Sequence, residues 1–251
     1  MDDRYVYGVL RAGVEPAISE KGVGDKPVEL VTSGQLAALV SVAPPGEVPG
    51  TRRNLMAHSR VLQQAADATC VLPMRFGVVM PSEASVRHEL LDLHEQQLVA
   101  QLDTFVGLAE LEVKVLSAEE HLLRTVVAER PDIVARRDRL EGRPPEATYY
   151  ERIELGELVA AAVSAKREEL TRRVLARLEP LAAATEIGER LHDEMVANIA
   201  LLVQRDRIPD VDKAVSSLEA ELGPDLRIRY VGPLPPYSFA TLDGAGAGAW
   251  A

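Results

Sequence analysis

The stretch LEVKV, residues 111–115, alternates Leu111, Val113 and Val115 with Glu112 and Lys114. Side chains two apart share one face of a strand, so this segment reads as a half-buried strand with one wet side. Downstream, TYYE at 148–151 has the spacing of a capping box, and Leu155, Leu158, Val159, Ala162 and Val163 follow it as a helical stripe that Pro180 ends. Strands at about 182–187 and 195–203, a helix over 209–222 closed by Gly223, and a strand at 226–231 complete the series. The order is β-α-β-β-α-β, which predicts a ferredoxin-like domain with both helices on one face of a four-stranded sheet.

Between the first strand of that series and its long helix lies an insert at about 119–147. Its first half has helical character, and its middle, ERPDIVARRDRLEGRPPEA, alternates arginine with acidic residues. That pattern predicts a solvated, salt-bridged connection, with a partner contact through Arg136, Arg137 and Arg139 as the alternative. Upstream of 107, the apolar run at 5–10 predicts a strand, and runs at 28–32 and 36–42 joined by Ser33 and Gly34 predict a hairpin. A helix over 51–67, a strand over 70–76 and a helix from an N-cap at Ser82 to about 105 follow. The expected fold class is therefore α+β with two domains. Residues 1–106 form an N-terminal α/β domain with a small, mostly antiparallel sheet, 107–232 form the ferredoxin-like domain, and 233–251 form a partly disordered extension rich in glycine and alanine.

Composition narrows the function. The 251 residues carry 28 lysines and arginines against 39 acids, a net charge of −11, which argues against a grip on nucleic acid. Cys70 is the single cysteine, so neither an internal disulfide nor a thiolate metal cluster can form, and a reducing cytoplasm fits. The opening MDDRYVYGVL lacks the features of a signal peptide, and no apolar run approaches the ~20 residues needed to cross a bilayer. A soluble protein without membrane insertion is expected. Of the histidines, His58, His88, His94, His121 and His192, no two fall at the spacing that pairs imidazoles on one helix face. GVGDKP at Gly22 runs into proline rather than a helix, so it is no phosphate cradle. No catalytic residue, cofactor site or metal site is expected, and the chain is read as a non-enzyme.

Two segments stand above this background. In VLPMRFGVVM, residues 71–80, one arginine interrupts an apolar run; Pro73 fits an edge strand or bulge, and Gly77 fits a turn. Arg75 there is either pinned structurally or held for a partner. In GPLPPYSFA, residues 232–240, Tyr237 and Phe239 are two apart and share a side if the segment is extended, which predicts docking on this chain or on another protein. Pro73, Arg75, Phe76, Tyr237 and Phe239 are the candidate structural or partner-contact residues.

These segments resemble the gas vesicle accessory protein family GvpF/GvpL. The likeness is carried by YVYGVL at 5–10, HSRVLQ at 58–63 with the LPMRFG string, YYERIELGELV at 149–159 and VGPLPPYSFA at 231–240. It departs from the family's pattern at Val78 and Leu234 and around Leu111. The resemblance implies a two-domain α+β protein whose C-terminal domain is a modified ferredoxin-like fold. It also implies a non-enzymatic assembly factor and minor component of the gas vesicle in the cytoplasm. Such a factor is expected to engage the apolar shell protein GvpA, through the N-terminal domain, and other accessory proteins, and to limit GvpA aggregation. A ferredoxin-like regulatory module that binds a small molecule is the alternative, and an enzyme built on Arg75 and His58 is the remotest reading.

Overall fold

The computed structural model describes residues 2–241. The chain divides into two compact units, one of Met1–Leu111, Leu202–Arg205 and Gly232–Ala251, the other of Glu112–Leu201 and Asp206–Val231. The sequence reading placed one boundary near Gly107 and set 233–251 apart; in the structure the first unit draws on three separate pieces of chain. The expected disorder beyond residue 241 lies outside the described residues.

In the first unit, β1 (Arg4–Arg11), β2 (Glu29–Ser33), β3 (Leu36–Val42), β4 (Val71–Pro73) and β5 (Val79–Met80) form one sheet in the order β2-β3-β1-β4, with β5 also on β1. The β2–β3 hairpin closes on a tight turn in which Gly34 takes φ +53°. Strand β1 lies at the centre, so nearly every residue in it is buried, and its sequence is a continuous apolar run instead of an alternation. A one-residue bulge at Tyr7 shifts its register against β3 between Val6 and Gly8. Tyr5, Tyr7 and Leu10 consequently join one core cluster while Val6 and Val9 join another. Helix α1 (Arg52–Ala68), capped by Thr51 Oγ1 accepting from Asn54 N–H, packs Val61, Leu62 and Ala65 into the first cluster. The second takes Val86, Leu90, Leu91, Leu98 and Leu102.

Those last five residues do not belong to the single helix expected from Ser82. A short α2 (Glu83–Ser85) leads into a π-helical segment, Val86–Asp92, and the chain breaks at Leu93 before α3 (Glu95–Phe105). The Leu93 N–H bonds the His88 carbonyl five residues back at 3.3 Å. That extra residue per turn shifts the stripe, turning Leu93 out to 71% exposure while Leu98 and Leu102 turn in.

The second sheet is built from β6 (Leu108–Ser117), β7 (Ala184–Ile187), β8 (Met195–Gln204) and β9 (Leu226–Leu234) in the order β7-β8-β6-β9. The wet-face residues Glu112 and Lys114 of β6 pair at 2.7 Å. Helices α4 (Glu119–Glu129), α5 (Pro131–Leu140) and α6 (Tyr149–Leu178) precede β7, and α7 (Ile208–Leu222) precedes β9. Omitting α4 and α5, the elements follow the β-α-β-β-α-β order read from the sequence. Glu221 of α7 holds both Arg177 and Arg173 of α6, at 2.6 and 3.8 Å.

The insert departs from expectation. Its middle is helix α5, opened by Pro131 in its first turn, and it buries Ile133 and Leu140. Ile133 packs with Val126 of α4 and Ala162 and Val163 of α6, so the insert is a helical hairpin on α6. The expected capping box is also absent. Thr148 makes no cap bond, because its hydroxyl donates to the Pro144 carbonyl at 3.0 Å and accepts from Arg152 Nε at 2.9 Å.

Candidate functional site

Strands β4 and β5 form one interrupted strand against β1. Pro73 pairs with Gly8 and Val79 with Tyr5, so the two residues Val6 and Tyr7 stand opposite the five from Met74 to Val78. The Met74 N–H donates to Tyr7 O at 2.8 Å, and Val78 O accepts from Val6 N–H at 2.9 Å. Between these bonds the surplus, Arg75, Phe76 and Gly77, loops off the sheet. Gly77 takes φ +95° to close the loop. A bulge at a sheet's end re-aims side chains and blocks further strand pairing there. Arg75 is exposed on this loop, and Pro73, with no N–H to donate, sits buried in the end strand, as the sequence reading anticipated.

The loop rests on buried rings. Tyr5 Oη lies 3.0 Å from His58 Nδ1 and accepts the Gly77 N–H at 3.0 Å, and His58 Nε2 lies 3.1 Å from the Met74 carbonyl. A carbonyl only accepts, so Nε2 carries the imidazole proton, and Nδ1 accepts the Tyr5 hydroxyl proton. Phe76 meets the Tyr5 and His58 rings edge-on at 6.0 and 5.8 Å, and Tyr7 stacks on His58 at 5.6 Å. Tyr7 Oη accepts the Val23 N–H at 2.7 Å and lies 2.9 Å from Ser41 Oγ.

Burial drives His58 down to about 4, against a smaller upward pull from the Met74 carbonyl. It also raises both tyrosines, with the Gly77 N–H opposing it at Tyr5 and the Ser41 and Val23 bonds opposing it at Tyr7. At neutral pH the cluster is uncharged, and both nitrogens of His58 are engaged, leaving no lone pair for a metal or a proton transfer. Cys70 is half-buried; desolvation, opposed by Arg205, pushes its thiol up to about 11, so it stays protonated. Among the described residues no group of three His, Cys, Asp or Glu could hold a metal ion.

The C-terminal segment locks onto the same unit. Instead of running extended, 235–240 turns, with Tyr237 N–H donating to Pro235 O at 2.8 Å and Ala240 N–H to Pro236 O at 3.0 Å. Tyr237 and Phe239 therefore do not share a side: Tyr237 packs into the cluster of Tyr5 and Tyr7, and Phe239 into the cluster of Val6 and Val9. Between them, Ser238 donates its N–H and its hydroxyl to the two carboxylate oxygens of Glu110, at 2.7 and 2.8 Å. Glu110 is fully buried although it shares a strand face with the wet Glu112 and Lys114. Gln63 of α1 completes the attachment by donating to Pro233 O at 3.1 Å.

Sequence reasoning placed Pro73, Arg75, Phe76, Tyr237 and Phe239 on two separate segments; the structure brings Phe76 and Tyr237 into one cluster. It missed His58, Gln63, Glu110 and Ser238 as the groups that join them. His58 and Gln63 stood inside one motif string and Ser238 inside another, but nothing local showed that they meet, and Glu110 pairs with a residue 128 positions away.

The family model described as gas vesicle synthesis protein GvpL/GvpF matches residues 3–241. A curated relative named gas vesicle protein F, from Streptomyces sp. (strain CB03234), is 38% identical over 242 residues, covering 94% of this chain and 98% of that protein. The crystal structure of GvpF from Anabaena sp. PCC7120 superposes with a TM-score of 0.85 at 26% identity, covering 96% of this chain and 99% of that one. GvpF from Microcystis aeruginosa does so at 0.83 and 25% identity, over 96% and 100%.

Proposed function

This chain belongs to the GvpL/GvpF family of gas vesicle synthesis proteins, and from that premise we propose that it is an assembly factor and minor vesicle component that binds the shell protein GvpA and limits its aggregation. It acts by covering a surface, with no turnover of a substrate. The observation that carries this reading is the outward loop of Arg75, Phe76 and Gly77. Val79, 38% exposed, follows the loop, and Leu55, 43% exposed, stands one turn before His58 on α1. Exposed apolar side chains on the strand that follows the loop and on the helix that carries His58 suit capture of an apolar client. The bulge blunts the sheet at this end, which favours helix-on-surface contact over strand addition. The −11 charge would keep a complex with an apolar client dispersed.

Co-expression with GvpA tests the reading. The soluble share of GvpA should rise with the full chain and fall back when Leu55→Asp and Val79→Asp are combined. An unchanged soluble share with the unaltered chain would end the proposal. No helix among the described residues is long and apolar enough to cross a membrane.

A further inference from the structure

We propose that the cleft between α5 and α6 is a second docking site, one that takes an acidic, partly apolar segment of a partner protein. It is independent of the loop assigned to GvpA. The cleft encloses about 260 Å3 and is lined by Arg136, Arg139, Leu140, Arg143, Glu151 and Glu154. Arg136 reaches Glu154 at 3.6 Å and Arg143 reaches Glu151 at 3.3 Å, each an exposed single contact that binds weakly and exchanges readily. Arg139 donates Nε to the Ala135 carbonyl at 3.1 Å, and among the described residues the rest of its guanidinium has no ion-pair partner. Behind the cleft Arg152 ties its corner together, donating to Thr148 Oγ1 at 2.9 Å and to the Leu140 carbonyl at 3.3 Å. Three arginines thus face two carboxylates in this concavity, although the net charge of the chain is −11.

The same end of α6 presents apolar rings to solvent. Tyr150, one turn before Glu154, is 79% exposed, Tyr149 is 60% exposed and Ile153 is 43% exposed. The two tyrosine rings meet edge-on at 5.4 Å. The opposite side of the helix faces α4 and α5 through Leu155, Leu158 and Val159, so core packing does not account for the tyrosines. Aromatics make up only 4% of this chain, and arginine with tyrosine is the pairing that dominates binding hot spots. The charge of the cleft selects a partner bearing carboxylates, and Tyr150, which neighbours Glu154 of the lining at i,i+4, selects an apolar side chain beside them. A few guanidiniums in one concavity do not make the extended basic track that a nucleic acid needs, and the net charge repels a long polyanion.

The test uses the full chain and fluorescence anisotropy with a labelled peptide that sets glutamate pairs between leucines at helical spacing. A peptide with glutamine in place of each glutamate serves as control. Saturable binding of the acidic peptide is expected, weakened on the order of tenfold by combined Arg139→Glu and Arg143→Glu, less by Tyr150→Ser, and suppressed by salt. All of these side chains are exposed, and circular dichroism checks that each variant folds. Equal binding of the two peptides, or indifference to the arginine reversals, would overturn the proposal. So would tighter binding of a single-stranded oligonucleotide, or self-association of the chain that Tyr150→Ser abolishes, since each would give the cleft a different occupant.

Discussion

The aromatics of the motif strings lead opposite lives in the two units. Phe76, Tyr237 and Phe239 of the first unit turn into cores, whereas Tyr149 and Tyr150 of the second stand in solvent. In a linear sequence both sets look alike, as rare rings set in recurring strings. Their surroundings separate them. The first set completes a closed, uncharged network in which each polar atom of Tyr5 and His58 has a partner inside the unit. The second lies beside exposed ion pairs that contribute little to folding. An inward motif fixes the shape of the surface above it, while an outward motif is itself surface.

If that division is right, the steepest loss of stability belongs to the base of the ring cluster. Leu62→Ala should cost about 2–5 kcal/mol in urea unfolding of the full chain, since Leu62 is fully buried against β1. The pH dependence comes next. His58 is held down to about 4 when folded against an ordinary 6.5, so the unfolded chain takes up the extra proton as pH falls through that window. Stability should decline by roughly 3 kcal/mol between pH 6.5 and 4 from this group alone. The difference between the unaltered chain and His58→Gln isolates it from carboxylates; parallel pH profiles for the two would contradict the buried neutral imidazole. Glu110→Ala should cost about 2 kcal/mol by releasing both donors of Ser238, and amide exchange at 237–240 should accelerate with it. The smallest effect is expected in the second unit, where Tyr149→Ser and Tyr150→Ser should each stay within about 0.5 kcal/mol. A loss several times larger would show that these rings are structural and would erase the contrast.

Much of this was legible in the sequence. Strand β3 falls where its apolar run predicts, and Gly223, at φ +77°, ends α7 as a helix-closing glycine does. Pro73 was readable as an edge residue because its missing donor is a local property. What escaped depended on partners far along the chain or on a change of helical pitch. The bond from Leu93 to His88 leaves the apolar residues in place and changes only their phase, so a straight helix fits the same letters. Helix α5 hid behind its arginines, because Ile133 and Leu140 are too few to make a visible stripe. The turn at 235–240 likewise gave no warning that Tyr237 and Phe239 would part, since it is Glu110 that grips the residue between them.

Photo-crosslinking distinguishes the two surfaces most directly. A photoreactive residue is placed at position 79 or at position 150 of the full chain, which is then co-expressed with GvpA and irradiated. Capture of GvpA from position 79, with none from position 150, is the predicted result. Capture from position 150 alone would contradict the assignment of the client to the loop of Arg75, Phe76 and Gly77.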